Sequence, residues 1–154
     1  MMRRGADARF LLAACAALVL AACGFTEDKN AAASYADRYF AAAAQDDVTA
    51  VLPLYAPRFF ITTPRATWVE TLQQVRDRCG KPTFHRLETW LVTHNVGTNA
   101  GTTAKLVYEV HYERCRTTET LVISRPPDGD FGIEGHSFHM NGSAPAGSDR
   151  TTTT

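Results

Sequence analysis

Several features that would announce a reaction are missing from this sequence. In its 154 residues there is no GxSxG elbow, no phosphate-cradling glycine loop, no HExxH and no Cys–His pair at motif spacing. No serine hydrolase, P-loop or zinc-protease centre is therefore indicated. Charge of one sign is lacking too: 16 Lys and Arg balance 16 Asp and Glu, with neither a basic run nor an acidic block. A nucleic-acid-binding face needs clustered positive charge, so that class is excluded. The most apolar run, Phe10–Leu20, falls short of the about 20 residues a bilayer-spanning helix requires. Cysteine is scarce, with four in the chain, so each one can be accounted for.

The N-terminus reads as an address. Arg3, Arg4 and Arg9 make a positive n-region, and FLLAACAALVL is the length of a signal-peptide h-region. Gly5, Ala6 and Asp7 after the arginine pair do not fit a twin-arginine signal, which leaves general secretion. Leu20-Ala21-Ala22-Cys23 followed by Gly24 resembles the lipobox of bacterial lipoproteins. The resemblance implies cleavage before Cys23 and lipid on its thiol, with several acyl chains giving firm anchoring where one would be marginal. Gly24 is not the Asp that resembles an inner-membrane retention signal, so in a source with two membranes the periplasmic face of the outer one is expected. Removing residues 1–22 takes away three Arg and one Asp, leaving 13 basic and 15 acidic residues and a formal charge of −2.

Cys15 leaves with the signal peptide and Cys23 carries lipid. Cys79 and Cys115 remain, in a chain bound for an oxidising compartment. A disulfide between them is the economical reading. Neither has a CxxC neighbour or a metal-ligand spacing, which disfavours a redox or metal role.

Residues 23–29 read as a tether and 30–140 as one domain. The tail 141–154 lacks any apolar period and reads as disordered. Tyr35, Ala36, Tyr39, Phe40 and Ala43 recur at helical spacing and predict a helix over about 30–45. A short element over 47–55 is interrupted by Pro53, with Asp46 and Asp47 as corner or capping residues. A third helix over 64–79 has Thr63 as candidate N-cap, Pro64 at its first position, the stripe Trp68, Leu72, Val75 and Cys79, and Gly80 as its stop. The period then changes to two. Leu106, Tyr108, Val110 and Tyr112 share one face of a strand, with Val107, Glu109, His111 and Glu113 on the other. Further strands are expected at about 84–95, 116–125 and 131–140, the last two joined through Asp128-Gly129. Helices first and then a four-stranded meander indicate an α+β fold, with the helices on one face of the sheet. Because Cys115 shares parity with outward His111 and Glu113, the disulfide requires the strand to end or bulge near Arg114.

The stretch YADRYFAAAAQDDVTAVLPLYAPRF, from Tyr35 to Phe59, resembles the opening of NTF2-like domains. The sheet portion, with Tyr108 and Tyr112, Glu119-Thr120 and Asp128 to Ile133, is similar to small exported NTF2-like or DUF4019-like lipoproteins. The resemblance spans about 30–140 and implies a cone in which a curved sheet wraps the first helix, sometimes around an apolar pocket. Catalytic members place an isolated Asp in that pocket. Here Asp37 reads as solvent-facing, and no catalytic residue, cofactor or metal site is assigned. Among the histidines, His136 and His139 should point to opposite faces, while His111 and His136 could meet across strands. Trp90, Tyr108 and Tyr112 are the candidates for lining a small apolar pocket.

Two functional readings follow: a non-enzymatic envelope lipoprotein that binds a protein partner or joins an assembly, and a pocket protein or pocket enzyme for a small apolar ligand. Both share the anchor. Cys23→Ser is expected to abolish incorporation of a labelled fatty acid in cells; equal label on the variant would defeat the assignment.

Overall fold

In the computed structural model the chain is described from Ala6 to Asn141, with side chains from Gly24 onward except that of Asn99. The first five residues of the predicted signal peptide, the side chains of its remainder and of Cys23, and all but the first residue of the predicted tail lie outside the described residues. The order is α1 (Ala6–Ala43), a 3-10 helix (Val48–Leu54), α2 (Phe59–Thr62), α3 (Arg65–Cys79), β1 (Pro82–Asn95), a 3-10 turn (Gly97–Asn99), β2 (Gly101–Tyr112), β3 (Arg116–Arg125) and β4 (Gly132–Asn141). Among the described residues no helix is long and apolar enough to cross a membrane.

The four strands form one antiparallel sheet in the order β1-β2-β3-β4, and the helices pack on one of its faces. This is the expected α+β arrangement. The face assignment of β2 holds: Leu106, Tyr108, Val110 and Tyr112 are buried, whereas Glu109 and His111 are half-exposed and Glu113 is exposed. The stripe of α3 also holds, with Trp68, Leu72, Val75 and Cys79 all buried. Burying each such side chain contributes about 1.5–3 kcal/mol. On α1 the buried set is Ala32, Tyr35, Ala36, Tyr39 and Phe40.

Three local expectations change. The first helix does not begin near residue 30, because Gly24 to Lys29 are already helical. Phe59–Thr62 forms a helical turn that its sequence did not signal. Pro64, not Thr63, occupies the cap of α3, without a side-chain cap bond. Asp47 caps as anticipated, its Oδ1 accepting from the Thr49 amide at 2.8 Å. Pro53 is accommodated in a 3-10 helix, whose few internal bonds suit a residue without an N–H.

The end of α3 and the β2–β3 turn form one junction. β2 stops at Tyr112, whose amide donates to Cys115 O at 2.9 Å. This turns the chain before strand parity can aim Cys115 outward. Cys79 and Cys115 are joined, with Cα atoms 5.1 Å apart. Arg114 donates through its amide to Cys79 O at 2.9 Å and through its guanidinium to Asp77 O at 2.7 Å. The last carbonyls of the helix are thus satisfied by a cation, as helix C-termini favour. Gly80 has φ 82°, and a Cβ there would fall 2.8 Å from Glu113 Cβ. Left-handed backbone and lack of space both require glycine.

The disulfide closes a loop of sequence separation 36, for which chain entropy predicts about 3–4 kcal/mol of stabilisation. Cys79→Ser with Cys115→Ser should lower the urea-unfolding free energy by about that amount. A loss under about 1 kcal/mol would show that the hydrogen bonds of the junction suffice without it.

Candidate functional site

The inner face of β3 carries Thr117, Glu119, Leu121 and Ile123, each fully buried. A carboxylate on that face is costly unless the fold supplies its hydrogen bonds. Here it does. Glu119 Oε1 accepts from the Tyr112 hydroxyl at 2.6 Å and from Thr117 Oγ1 at 3.0 Å, and Oε2 lies 3.2 Å from His136 Nε2. On its other side His136 Nδ1 meets the Tyr55 hydroxyl at 2.7 Å. Register explains the geometry. Glu119 pairs with Phe138 and Leu121 with His136, so the imidazole stands diagonally across from the carboxylate on the same face. The His136 side chain is 0% exposed; what remains of its exposure is backbone on the edge strand.

Five elements converge on this imidazole. The rings of Tyr39, Tyr55, Trp68 and Phe138 lie 5.0, 6.1, 5.3 and 4.3 Å from it, from α1, the end of the 3-10 helix, α3 and β4. Tyr112 of β2 joins the set through Glu119, which both it and the imidazole bond. Tyr55 is positioned by its own backbone, which makes a parallel bridge to Ile133 of β4. Burial, and then the charge on Glu119, push the Tyr112 hydroxyl far above its ordinary pKa. Burial likewise raises Tyr55. Both hydroxyls therefore remain protonated donors across physiological pH. With a neutral imidazole that donates from Nε2 and accepts at Nδ1, every polar atom of the chain Tyr55–His136–Glu119–Tyr112 is satisfied around one negative charge. Among the described residues, Trp68 Nε1 and the Tyr108 hydroxyl are the buried side-chain polar atoms that reach no partner.

A histidine between a carboxylate and a hydroxyl has the connectivity of an acid–base relay. Its imidazole and carboxylate are sealed from solvent, both side chains being 0% exposed. The cavity bordered by Tyr39, Tyr112, Phe138, Leu72 and Arg76 holds about 30 Å³, enough for one or two waters. Ligand pockets are typically about 300–1,000 Å³. Two broader surface depressions, about 460 and 510 Å³, lie at the opposite end of the sheet and share Arg58, Ser124, Pro126 and Glu134. Their charges are mutually engaged: Arg58 is 3.8 Å from Glu134, and Ser124 Oγ donates to Glu134 at 3.1 Å.

The pocket candidates from sequence are separated. Tyr112 borders the small cavity. Tyr108 packs on Phe40 and His85 and is not among that cavity's walls. Trp90 pairs with Leu106 on the inner face, yet it is 45% exposed, because β1 is the sheet edge and no strand lies beyond it. Cys79 and Cys115 are brought together, as described. His136 and His139 do face opposite ways, pairing with Leu121 and Thr118. His111 and His136 do not meet, because β3 lies between their strands and His111 bonds Glu109 on the outer face at 3.1 Å. Among the described residues no group of His, Cys, Asp and Glu is placed to hold a metal ion. Asp37 has a partner, His85 at 2.9 Å, while staying largely exposed. Glu119 was the residue missed. Its parity with Leu121 and Ile123 was the available signal, the same pattern sought for an aspartate.

Compared with protein-family models, curated proteins and solved structures, the chain matches none of them. Any functional reading therefore rests on the residues themselves.

Removing one partner of a buried hydrogen bond to a charged group leaves that group unsatisfied and costs about 1–3 kcal/mol or more, whereas replacing both with apolar groups is often nearly neutral. His136→Phe should destabilise on that scale in urea unfolding, and Glu119→Leu combined with His136→Phe should recover much of the loss. A single variant costing under about 1 kcal/mol would mean the network does not hold the core together.

Proposed function

We propose that the mature chain is a lipid-anchored domain of the cell envelope. It is held through Cys23 on the outer side of a membrane, at the periplasmic face of the outer one where the source has two. On this reading it is an NTF2-like domain that works through its surface, by binding a protein partner or taking a place in an assembly. The observation that carries this is the sealed relay: Tyr39, Tyr55, Trp68 and Phe138 stand around His136, whose side chain is 0% exposed. A surface role also suits β1, an edge strand running from Pro82 to Asn95. It exposes Phe84, Trp90 and Leu91. Long apolar edges are surfaces that other chains add to or cover.

One observation favours the second reading, a pocket protein or enzyme for a small apolar ligand. Tyr55, which bonds His136, is also among the residues around the 510 Å³ depression. A shift of that segment would connect the relay to the surface.

Thermal unfolding with apolar ligands separates the two. A ligand at one hundred times its Kd stabilises by about 2.7 kcal/mol. With fatty acids and sterols titrated to their solubility, no saturable rise in Tm is expected. Cross-linking from photoreactive residues at Phe84 and Leu91 in intact cells should give a discrete protein adduct. A saturable rise in Tm without any adduct would transfer the assignment to the pocket reading.

A further inference from the structure

The first turns of the described side chains are clasped to the sheet. Phe25 stacks on His94 of β1, ring centroids 4.6 Å apart. Asp28 takes His94 Nε2 at 2.7 Å with one oxygen and Arg125 Nη2 at 2.8 Å with the other. It thereby ties α1 to the end of β1 and the end of β3 at once. Its carboxylate is only 17% exposed, and a sheltered, doubly bonded carboxylate is held far more firmly than a surface pair. Phe25 and Asp28, within the stretch expected to be a tether, are therefore held against the sheet.

This clasp sets which end of the domain stands next to Cys23. Phe25 remains 40% exposed, and Val96, two residues beyond His94 in the β1–β2 connection, is 91% exposed. Cys23 precedes Phe25 by two residues, and two residues of chain reach at most about 7 Å in any conformation. An acyl-bearing Cys23 thus brings the bilayer surface to the exposed apolar side chains of Phe25 and Val96. We propose that the Phe25–Val96 end of the domain lies against the lipid bilayer that receives the Cys23 acyl chains, with the Asp28 clasp fixing that orientation. The inference rests on the lipid-anchored reading of Cys23. It adds a contact face and a fixed pose: β2 runs away from the bilayer, and the Cys79–Cys115 junction stands at the far end, a strand length of about 35–40 Å away. Interfacial apolar side chains reach about 5–10 Å into the headgroup and acyl boundary, a depth open to both Phe25 and Val96.

The test uses full-length protein extracted from membranes and reconstituted in phosphatidylcholine vesicles brominated near the headgroup end of their acyl chains. Val96→Trp is compared with Asp77→Trp, which sits at the far end on α3, each against the unsubstituted protein with its own Trp68 and Trp90. A mass spectrum of the N-terminal peptide establishes acylation in the same preparation. The emission added by V96W should be largely lost to bromine while that added by D77W is retained. Asp28→Ala in the V96W background should restore most of it without releasing protein from the vesicles. Acylated protein in which V96W is quenched no more than D77W overturns the docked pose and leaves the anchor standing. Unacylated Cys23 overturns the anchor and the pose together. Quenching of V96W that Asp28→Ala leaves unchanged removes the clasp from the proposal.

Discussion

A carboxylate sealed from water must find all its donors in the protein, and the interior of this domain is organised around that requirement at Glu119. One donor comes from its own strand (Thr117), one from β2 (Tyr112), and one from β4 (His136), which is in turn held by Tyr55 from the 3-10 helix. Trp68 of α3 and Tyr39 of α1 supply the walls. Each element carries apolar surface that could pack in several registers. The directional bonds select one register, because slipping any strand by a single residue would turn a donor to the wrong face.

The same constraint bears on function. Polar groups at the centre of an α+β domain suggest chemistry, yet here they are consumed by one another and enclosed by rings. The imidazole and the carboxylate at the middle of the relay are sealed from solvent, each side chain 0% exposed. Among the described residues the buried Trp68 Nε1 and Tyr108 hydroxyl reach no partner, and the remaining parts with unmet potential are at the surface. These surface parts are the apolar side chains and unpaired backbone edge of β1, and the Phe25 and Val96 end beside the proposed anchor at Cys23. Physical opportunity for partners therefore lies outside the interior, and the two ends of the sheet differ: one is fastened by a covalent bond and a capped helix, the other by an ion-paired clasp.

Much of the fold was legible because burial repeats at the period of each element. Trp68, Leu72, Val75 and Cys79 mark α3 by spacing alone, and Tyr108, Val110 and Tyr112 mark the buried face of β2. Parity also anticipated that Cys115 had to leave the strand before it could reach Cys79. Trp90 was harder to place. A register shift between Leu87 and Thr89 changes which residues of β1 face inward, so that alternation counted from Leu87 would turn Trp90 outward. Its exposure depends on β1 being the edge, a property of strand order and not of composition. Glu119 was readable by parity, but His136 as its partner was not, since a diagonal contact requires the register of β3 against β4.

The sequence by itself determined the address at Cys23 as an expectation, the element types, the inner faces of α3 and β2, and the two cysteines available to pair. These depend on local periodicity, on turn chemistry and on counting, all of which act over a few residues. Only the tertiary structure decided that Glu119 and His136 are sealed from solvent, that they form one bonded chain with Tyr55 and Tyr112, and that Asp28 reaches across to His94 and Arg125. Those contacts join residues up to 97 positions apart. Their existence depends on which strands neighbour one another and at what register, and no local pattern of side chains encodes that.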